Sequence, residues 1–403
     1  MKLLVFAHTP PPHHGQSYAV KVMLESFGGD HRWQKAESPG RFGIECYHIN
    51  ARFSHSLQDI GELRGGKIFW IFLYCLQAVW CRFRYGVKVL YYVPAPGKSV
   101  AIYRDWLIMF FCRPFFKKII LHWHAAGMAK WLETATNISV RAMTYRLFRP
   151  VDLSIVLSCY NKADAEKLLS HRICVVSGGI ADPCPDFPET LLLMRRERAI
   201  ARQRLAGPTF GSGESPKIVN VLYLALVSRD KGAFDAVEGV VLANQKMVAG
   251  RSPLRFHITL IGGFASDAEE KELREFVQQH GLQTSVAIAG FVTAERKQSA
   301  LVEADIFCFP THYSAENQPA NLIEALAYGL PIVTTRWRSI PEMLPENYPG
   351  LVDVRSPVQV ADALIRLAVR DDAVELREVF LRQFTLEKHL AGMAAAIKQV
   401  AEN

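Results

Sequence analysis

The segment "ADIFCFPTHYSAENQPANLIEALAYGLPIVTT", residues 304–335, decides the fold class because it holds a strand, a helix and a second strand in succession. The apolar run "ADIFCFP" predicts a buried strand. "PANLIEALAY" predicts a helix with Pro319 at its first position, where no amide N–H is needed. Gly329 fits the left-handed residue beyond the helix end, and Pro331 cannot continue the helix. The order of these elements indicates a parallel βαβ unit.

The same alternation runs along the rest of the chain. Further strand-like runs are "KLLVFA", "VKVLYYV", "KKIILHWH", "LSIVLS", "IVNVLYLAL", "RFHITLIGG" and "SVAIAGF", each followed by a helical pattern. Short apolar strands that alternate with helices predict an α/β protein whose parallel sheets are buried on both faces. Because 403 residues exceed one ordinary core, we expect two domains.

A Gly/Ser/Pro-rich segment around 207–216 is typical of a domain linker. It places the boundary near 190–215 and predicts domains over 1–195 and 215–384. The last residues, 385–403, contain an apolar face at helical spacing and predict a closing helix that packs back on the protein.

The positive charge lies in the first half of the chain. Residues 1–190 hold 23 Lys and Arg against 14 Asp and Glu, whereas residues 191–403 hold 24 against 25. A basic half suits nucleic acid, an anionic membrane or a phosphorylated substrate, and charge alone does not choose among them. Nucleic acid is the weakest of the three candidates because the sequence contains no recognisable nucleic-acid-binding motif.

The eight cysteines form no CxxC pair, which favours reduced cytosolic thiols over a disulfide framework or a zinc site. The start, "MKLLVFAHTPPPHHG", breaks at a triple proline without a small-residue cleavage site, and so predicts a first strand rather than a signal peptide. We therefore expect a cytoplasmic protein.

Two glutamates flank the start of the helix in the opening segment. Glu316 precedes the helix, and Glu324 lies about one and a half turns into it. The carboxyl end of "ADIFCFP" delivers the loop to the edge where open α/β sheets bind ligands. Unpaired N–H groups near Ala320, Asn321 and Leu322 predict an anion site suited to phosphate.

A carboxylate beside a phosphate site is costly unless it accepts hydrogen bonds from neutral hydroxyls. Sugar and ribose hydroxyls supply such bonds, so a nucleotide sugar satisfies both demands. The alternative is a solvated helix start with two incidental glutamates.

The longer stretch "FCFPTHYSAENQPANLIEALAYGLPIVTTRWRSIPEML" resembles the donor-site signature of retaining glycosyltransferases of the GT-B fold, family four. Two glutamates flank seven residues in that signature, as they do here. Weaker similarities extend over nearly the whole chain, in "VFAHTPPPHHGQS", "IILHWHAAG", "VVSGGI" and "VLYLALVSRDKG". The resemblance implies two Rossmann-like domains that face a central cleft.

The resemblance also implies roles for individual residues. Lys231 would contact the diphosphate, Glu316 would hold the sugar ring, and His124 would lie near the transferred sugar. Glu324 would bind the ribose. The implied donor-binding residues are Gly15, Arg229, Phe291, Asn317, Gln318, Ala320, Asn321, Leu322 and Glu324. No metal or other cofactor is expected, because Lys231 and the helix terminus supply the positive charge.

Two further positions modify this expectation. Many members of the family carry an arginine five residues before the lysine, where this chain has Leu226. Either Arg229 replaces it, or Lys231 and the helix dipole carry the charge alone. His122 is expected on the opposite side of its strand from His124, as a packed core residue.

Two aromatic and basic stretches lie in the first half, "IFWIFLYCLQAVWCRFRYG" (68–86) and "AIYRDWLIMFFCRPFFKK" (101–118). Trp, Phe and Leu beside Arg and Lys are typical of a helix in a membrane interface. The alternative is that these aromatics build the core. The apolar run 68–81 is shorter than the roughly 20 residues needed to span a bilayer, so we expect peripheral contact with an anionic membrane.

The sequence therefore predicts a retaining glycosyltransferase that moves a sugar from a UDP- or GDP-sugar to a saccharide acceptor in cell-surface polysaccharide synthesis. Contact with a membrane would allow that acceptor to be lipid-linked. A second interpretation is an epimerase or hydrolase of nucleotide sugars with the same fold. A third is a non-catalytic sugar-nucleotide-binding subunit, which the missing arginine would suit.

Overall fold

The structure, a computed structural model, describes residues 1–11, 15–33, 42–52, 65–97, 99–205 and 216–400. The chain forms two compact units. The first unit comprises Met1–Gly179 and Leu386–Asn403, and the second unit comprises Ile180–Thr385. Most of the segment predicted as a linker, 207–216, lies outside the described residues.

The first unit contains a parallel sheet with six strands among its described residues. The strands are β1 (Lys2–Ala7), β2 (Glu45–Asn50), β3 (Val89–Tyr92), β4 (Lys118–Trp123), β5 (Leu153–Val156) and β6 (Ile173–Val175), in the order β2-β1-β3-β4-β5-β6. The helices are α1 (Gly15–Ser26), α2 (Gly65–Arg84), α3 (Ser99–Cys112), α4 (Met128–Thr134), α5 (Ile138–Phe148) and α6 (Lys162–Lys167). A short 3-10 helix, Arg113–Phe115, follows α3.

The second unit contains another six-stranded parallel sheet. Its strands are β7 (Lys217–Leu224), β8 (Leu254–Ile261), β9 (Val286–Gly290), β10 (Ile306–Phe309), β11 (Ile332–Thr335) and β12 (Leu351–Val352), in the order β12-β11-β10-β7-β8-β9. Its helices are α7 (Phe187–Leu205), α8 (Ala233–Ala249), α9 (Asp267–Gln279), α10 (Ala294–Glu303), α11 (Ala320–Ala327), α12 (Pro357–Ala368) and α13 (Ala373–Gln383). A 3-10 helix covers Ile340–Met343.

The predicted fold class is confirmed in each unit. The central strand β10 is buried at all four positions, as continuous apolar strands with helices on both faces must be. The opening segment folds as the expected strand, helix and strand, and Gly329 has the left-handed φ of 58°.

The last helix, α14 (Leu386–Lys398), belongs to the first unit. Leu390, Met393 and Ile397 lie at helical spacing and join the core cluster that contains Leu3 and Val5 of β1. The apolar face read from the sequence therefore packs on the first sheet.

The two units meet in sequence at Gly179 and Ile180, before the boundary expected at 190–215. Helix α7 causes the difference, because two of its arginines, Arg195 and Arg202, are buried rather than solvated. Arg195 donates hydrogen bonds to backbone oxygens of Tyr328 and Ala304, and Arg202 pairs with Asp305 at 2.6 Å. A charged helix that resembles a linker is thus part of the second unit.

Candidate functional site

The candidate site lies at the carboxyl edge of the second sheet, on the loop that joins β10 to α11. This is the edge at which parallel α/β sheets place their ligands. Glu316 sits on the loop and is only 8% exposed. Its Oε2 accepts hydrogen bonds from Lys231 Nζ at 2.6 Å and from the hydroxyl of Thr311 at 3.2 Å. Two of the predicted catalytic residues, Glu316 and Lys231, therefore form a largely buried ion pair.

Lys231 reaches this pair from the loop after β7. Its ammonium also lies 4.4 Å from the ring centroid of Tyr313, a cation–π contact that helps to fix its position. Burial, and then the Glu316 carboxylate, raise the pKa of the Tyr313 phenol. An ammonium has three N–H donors, so the bond to Glu316 leaves donors for a ligand.

Gly232 allows the two loops to approach each other. Its φ is 79°, and an added Cβ would lie 2.2 Å from the backbone oxygen of Pro310. No side chain fits at that distance, and a positive φ favours glycine. The Lys-Gly pair of the sequence thus places Lys231 against the loop that carries Glu316.

The loop after β11 also forms hydrogen bonds with the loop that carries Glu316. Trp337 Nε1 donates to the backbone oxygen of Tyr313 at 2.9 Å. The Ser339 hydroxyl lies 2.5 Å from the backbone oxygen of Asn317. Asn317 is buried, and the neighbouring Gln318 is half-buried. These contacts preorganise the loop before any ligand binds.

Helix α11 begins at Ala320, so Pro319 is the extended N-cap residue and not the first helical residue that the sequence predicted. Among the described residues, the N–H groups of Ala320 and Asn321 have no hydrogen-bond acceptor, as is normal for the first positions of a helix. The expectation for Leu322 is wrong, because its N–H donates to Pro319 O at 3.1 Å. The Asn321 side chain donates to Leu224 O at 2.8 Å and ties the helix start to the end of β7. The anion site is therefore smaller than expected.

The second glutamate also has a lysine partner. Glu324 accepts a hydrogen bond from Lys297 Nζ at 2.7 Å, and both side chains are partly exposed. Lys297 belongs to α10, next to the helix that carries Glu324. The Glu324 side chain is thus held in place by Lys297 and remains 24% exposed.

Arg229 does not join the Lys231–Glu316 pair. Its guanidinium pairs with Glu272 of α9 and stacks 4.0 Å from the ring centroid of Phe234. The structure thus favours the alternative in which Lys231 and the helix dipole supply the positive charge without Arg229.

Phe291 follows the carboxyl end of β9 and is 81% exposed. Its ring lies against Gly263, where an added Cβ would meet the ring at 2.2 Å. An aromatic ring that is held on one face and open on the other can stack with a flat ligand group.

The remaining predicted residues lie in the first unit. His124 follows β4, as expected. The placement of His122 on the opposite side is wrong: the two imidazole centroids are 4.2 Å apart, because residues two apart on a strand face the same way. His122 is buried, and its Nδ1 lies 2.5 Å from the Tyr91 hydroxyl. Burial, with His124 and His389 nearby, lowers the pKa of His122.

Gly15 is the first residue of α1, and an added Cβ would meet no protein atom within 4 Å. The protein's own packing therefore does not require a glycine here. The residues just before it, 12–14, lie outside the described residues.

The sequence reasoning missed Arg338, on the loop after β11. It lies directly before Ser339, which contacts Asn317, and its backbone φ is 51°. Its Nε and Nη1 are buried without a hydrogen-bond partner among the described residues. Buried polar groups normally have partners, so such atoms in a site indicate a place for a ligand or a water. Arg338 could have been identified from the sequence, because it is a basic residue in "RWRSIPEML", within the quoted signature.

Metal ligands do not gather in the described part of the chain, where no group of three or more His, Cys, Asp or Glu side chains could hold an ion. The eight cysteines are all free.

The sequence of the site matches a known family. Residues 221–370, just over a third of the chain, match the family described as "Glycosyl transferases group 1". The putative colanic acid biosynthesis glycosyltransferase WcaL of Salmonella typhimurium is 27% identical over 168 residues, which cover 41% of this chain and 39% of that protein. The amylovoran biosynthesis glycosyltransferase AmsK of Erwinia amylovora is 29% identical over 155 residues, 37% and 36% of the two chains. The alignments thus span less than two fifths of these relatives.

Solved structures resemble the chain over its full length. Sucrose-phosphate synthase from Thermosynechococcus elongatus has a TM-score of 0.65 at 15% identity, with complete coverage of both chains. Anabaena HepE, solved with UDP and glucose, has a TM-score of 0.63 at 13% identity, with 99% of this chain and 100% of that chain covered. At such low identity the likeness shows the fold, a two-domain α/β fold of the GT-B type.

Proposed function

We propose that the protein is a glycosyltransferase that takes a sugar from a nucleoside diphosphate donor and adds it to a saccharide during polysaccharide synthesis. The observation that carries the proposal is the Lys231–Glu316 pair on the loop before α11, with Glu324 on the same segment. Residues 221–370, which match the glycosyltransferase family, contain this whole arrangement. The names of WcaL and AmsK support polysaccharide synthesis as the process.

In the proposed mechanism, Lys231 stabilises the leaving nucleoside diphosphate. That group gains negative charge as the glycosidic bond breaks, and a fixed cation lowers the barrier because it needs no reorganisation. The open N–H groups at the start of α11 add a second positive element. Glu316, which already accepts two hydrogen bonds, orients sugar hydroxyls and is not a free nucleophile. This arrangement fits a reaction that retains the configuration of the sugar. The acceptor hydroxyl attacks on the same face that the diphosphate leaves, and the leaving phosphate accepts the proton of that hydroxyl.

The proposal is tested with a panel of UDP, GDP and ADP and their sugars. A ligand that binds the native state raises the melting temperature by mass action, and UDP-sugars come first because HepE was solved with UDP. Transfer to a saccharide acceptor, followed by mass spectrometry, completes the test. Free sugar or an epimer without acceptor would favour a hydrolase or epimerase, and binding without any turnover would favour a non-catalytic subunit.

Glu324 should bind the ribose of the donor. We expect Glu324→Ala to weaken nucleotide binding by about 1 to 3 kcal/mol, because charge-assisted hydrogen bonds to hydroxyls are lost. Isothermal titration calorimetry measures the change. Glu303→Ala is the matched control, since Glu303 pairs with Arg296 on the surface of α10. Equal affinities of the Glu324 variant and the native protein would remove Glu324 from the site.

Arg338 should replace the arginine that is absent at position 226. Its Nε and Nη1 are buried without a partner among the described residues, and its neighbour Ser339 contacts Asn317; a guanidinium binds phosphate oxygens well. We expect Arg338→Met to weaken UDP binding about tenfold, or roughly 1.4 kcal/mol, and to leave uridine binding unchanged. Arg336→Met is the control, because Arg336 pairs with Asp353 at the surface. A parallel loss of uridine affinity would show that Arg338 only supports the loop.

A further inference from the structure

Helix α2 of the first unit carries apolar side chains on its buried side and also on the side that faces solvent. The side that packs on the core is formed by Ile71, Cys75, Ala78 and Cys81, all buried. The larger side chains face solvent and define the aromatic face of α2, with exposures between 43% and 68%. They are Phe69, Phe72, Leu76, Trp80 and Phe83. A surface helix normally has the opposite arrangement, with polar residues outward.

The aromatic face continues onto neighbouring elements. Phe72 contacts Phe111 of α3, with ring centroids 5.6 Å apart, and Phe83 contacts Phe115 at 6.0 Å. Phe115 is itself exposed, as is Phe110 beside Phe111. The exposed rings therefore form one contiguous surface across two helices and the 3-10 helix. Contiguous apolar surface of this kind marks an interaction site.

The charged residues of the segment that carries this surface are almost all basic. Residues 65–118 contain nine Lys and Arg and a single acid, Asp105. Asp105 is fully buried and accepts hydrogen bonds from Tyr92 and Ala95. Arg84 and Lys117 are exposed. The aromatic face is thus bordered by cations, and no exposed carboxylate of residues 65–118 opposes them.

We infer that the aromatic face of α2 docks on the surface of an anionic lipid bilayer. Aromatic rings settle in the headgroup region, and Lys and Arg at the border bind lipid phosphates. A second copy of the chain is a poorer partner, because self-association would bring two basic surfaces together. No helix among the described residues is long and apolar enough to cross a bilayer. The inference needs no assumption about the proposed enzymatic activity.

The test is sedimentation of the full-length chain with phosphatidylglycerol vesicles and, separately, with phosphatidylcholine vesicles. We expect binding to the anionic vesicles and weaker binding to the neutral ones. Salt raised from about 0.1 M to about 1 M should release most of the protein, since the Debye length falls from about 10 Å to about 3 Å. The double variant Trp80→Ser, Phe83→Ser should bind at least about tenfold more weakly because it removes two interfacial rings.

Two further variants separate the sources of binding. Arg84→Glu with Lys117→Glu should weaken binding to anionic vesicles and leave nucleotide affinity unchanged. The matched control is Trp33→Ser with Ile138→Ser, which removes exposed apolar side chains of the first unit outside the aromatic face. Circular dichroism and melting temperature confirm that each variant is folded.

Three outcomes would overturn the inference. The first is no binding to phosphatidylglycerol vesicles at low salt. The second is equal loss in the Trp80, Phe83 variant and in its control. The third is a dimer in light scattering that the Trp80, Phe83 variant dissociates, because the face would then be a subunit interface. Failure of sugar transfer would not affect any of these measurements.

Discussion

Lys231→Ala should lower kcat by about 100-fold to 1,000-fold, and donor KM should change much less. The ammonium acts on charge that develops as the diphosphate leaves, so its effect belongs mainly to the transition state. Steady-state kinetics over a range of donor concentrations separates the two parameters. A large rise in KM with constant kcat would show that Lys231 only binds the donor.

The buried partner of Lys231 complicates this experiment and also provides its control. Removal of the ammonium leaves the Glu316 carboxylate, 8% exposed, without its counter-ion. A buried charge that loses its partner destabilises a protein by several kcal/mol. We therefore expect a lower melting temperature for Lys231→Ala, and recovery of that temperature when Glu316→Gln is added.

The activity of the double variant then decides the role of the lysine. If Lys231 acts in catalysis, kcat of Lys231→Ala, Glu316→Gln lies well below kcat of Glu316→Gln alone, although stability returns. If the pair is only structural, the double variant and Glu316→Gln alone have the same kcat. Arg229→Ala is the second control, because Arg229 pairs with Glu272 and should change kcat little.

The strands that the sequence identified are those with continuous apolar runs. β1, β4 and β10 are such strands, and their burial on both faces requires apolar side chains at nearly every position. Three strands were not predicted, β2, β6 and β12. β2 reads "ECYHIN", with polar residues that obscure the pattern. The other two contain only three and two residues. All three lie at sheet edges, where one neighbour suffices and composition is less constrained.

The site could be predicted in part because its local sequence signals are strong. Pro319, Gly329 and the two glutamates fix the helix and its ends in sequence. What the sequence could not show is which groups already have partners. Leu322 N–H is used inside the helix, and Arg338 has buried N–H groups that no described residue accepts. Hydrogen bonds between residues distant in sequence depend on tertiary packing and leave no periodic signal.

Helix α7 shows the same limit at the level of domains. Its composition, rich in Arg and Glu, resembles a solvated linker. The structure instead buries Arg195, whose three donor groups bond the backbone oxygens of Tyr328, Ala304 and Leu301 at 2.8 to 3.0 Å. Tyr328 ends α11, and Ala304 ends α10. A cation at the carboxyl end of a helix satisfies open carbonyls and the dipole together.

Arg195→Met should therefore destabilise the protein by roughly 3 to 5 kcal/mol, because three buried carbonyl oxygens lose their donors at once. Urea unfolding measures this as a lower midpoint with an unchanged slope. Because one of those oxygens ends the helix that carries Glu324, nucleotide affinity of the folded fraction should fall as well. The neighbouring variant Arg196→Met makes the same chemical change at a surface pair with Asp371, where exposed ion pairs contribute about 0 to 1 kcal/mol. If both variants unfold at the same urea concentration as the native chain, α7 is a linker after all and the boundary read from the sequence is the better one.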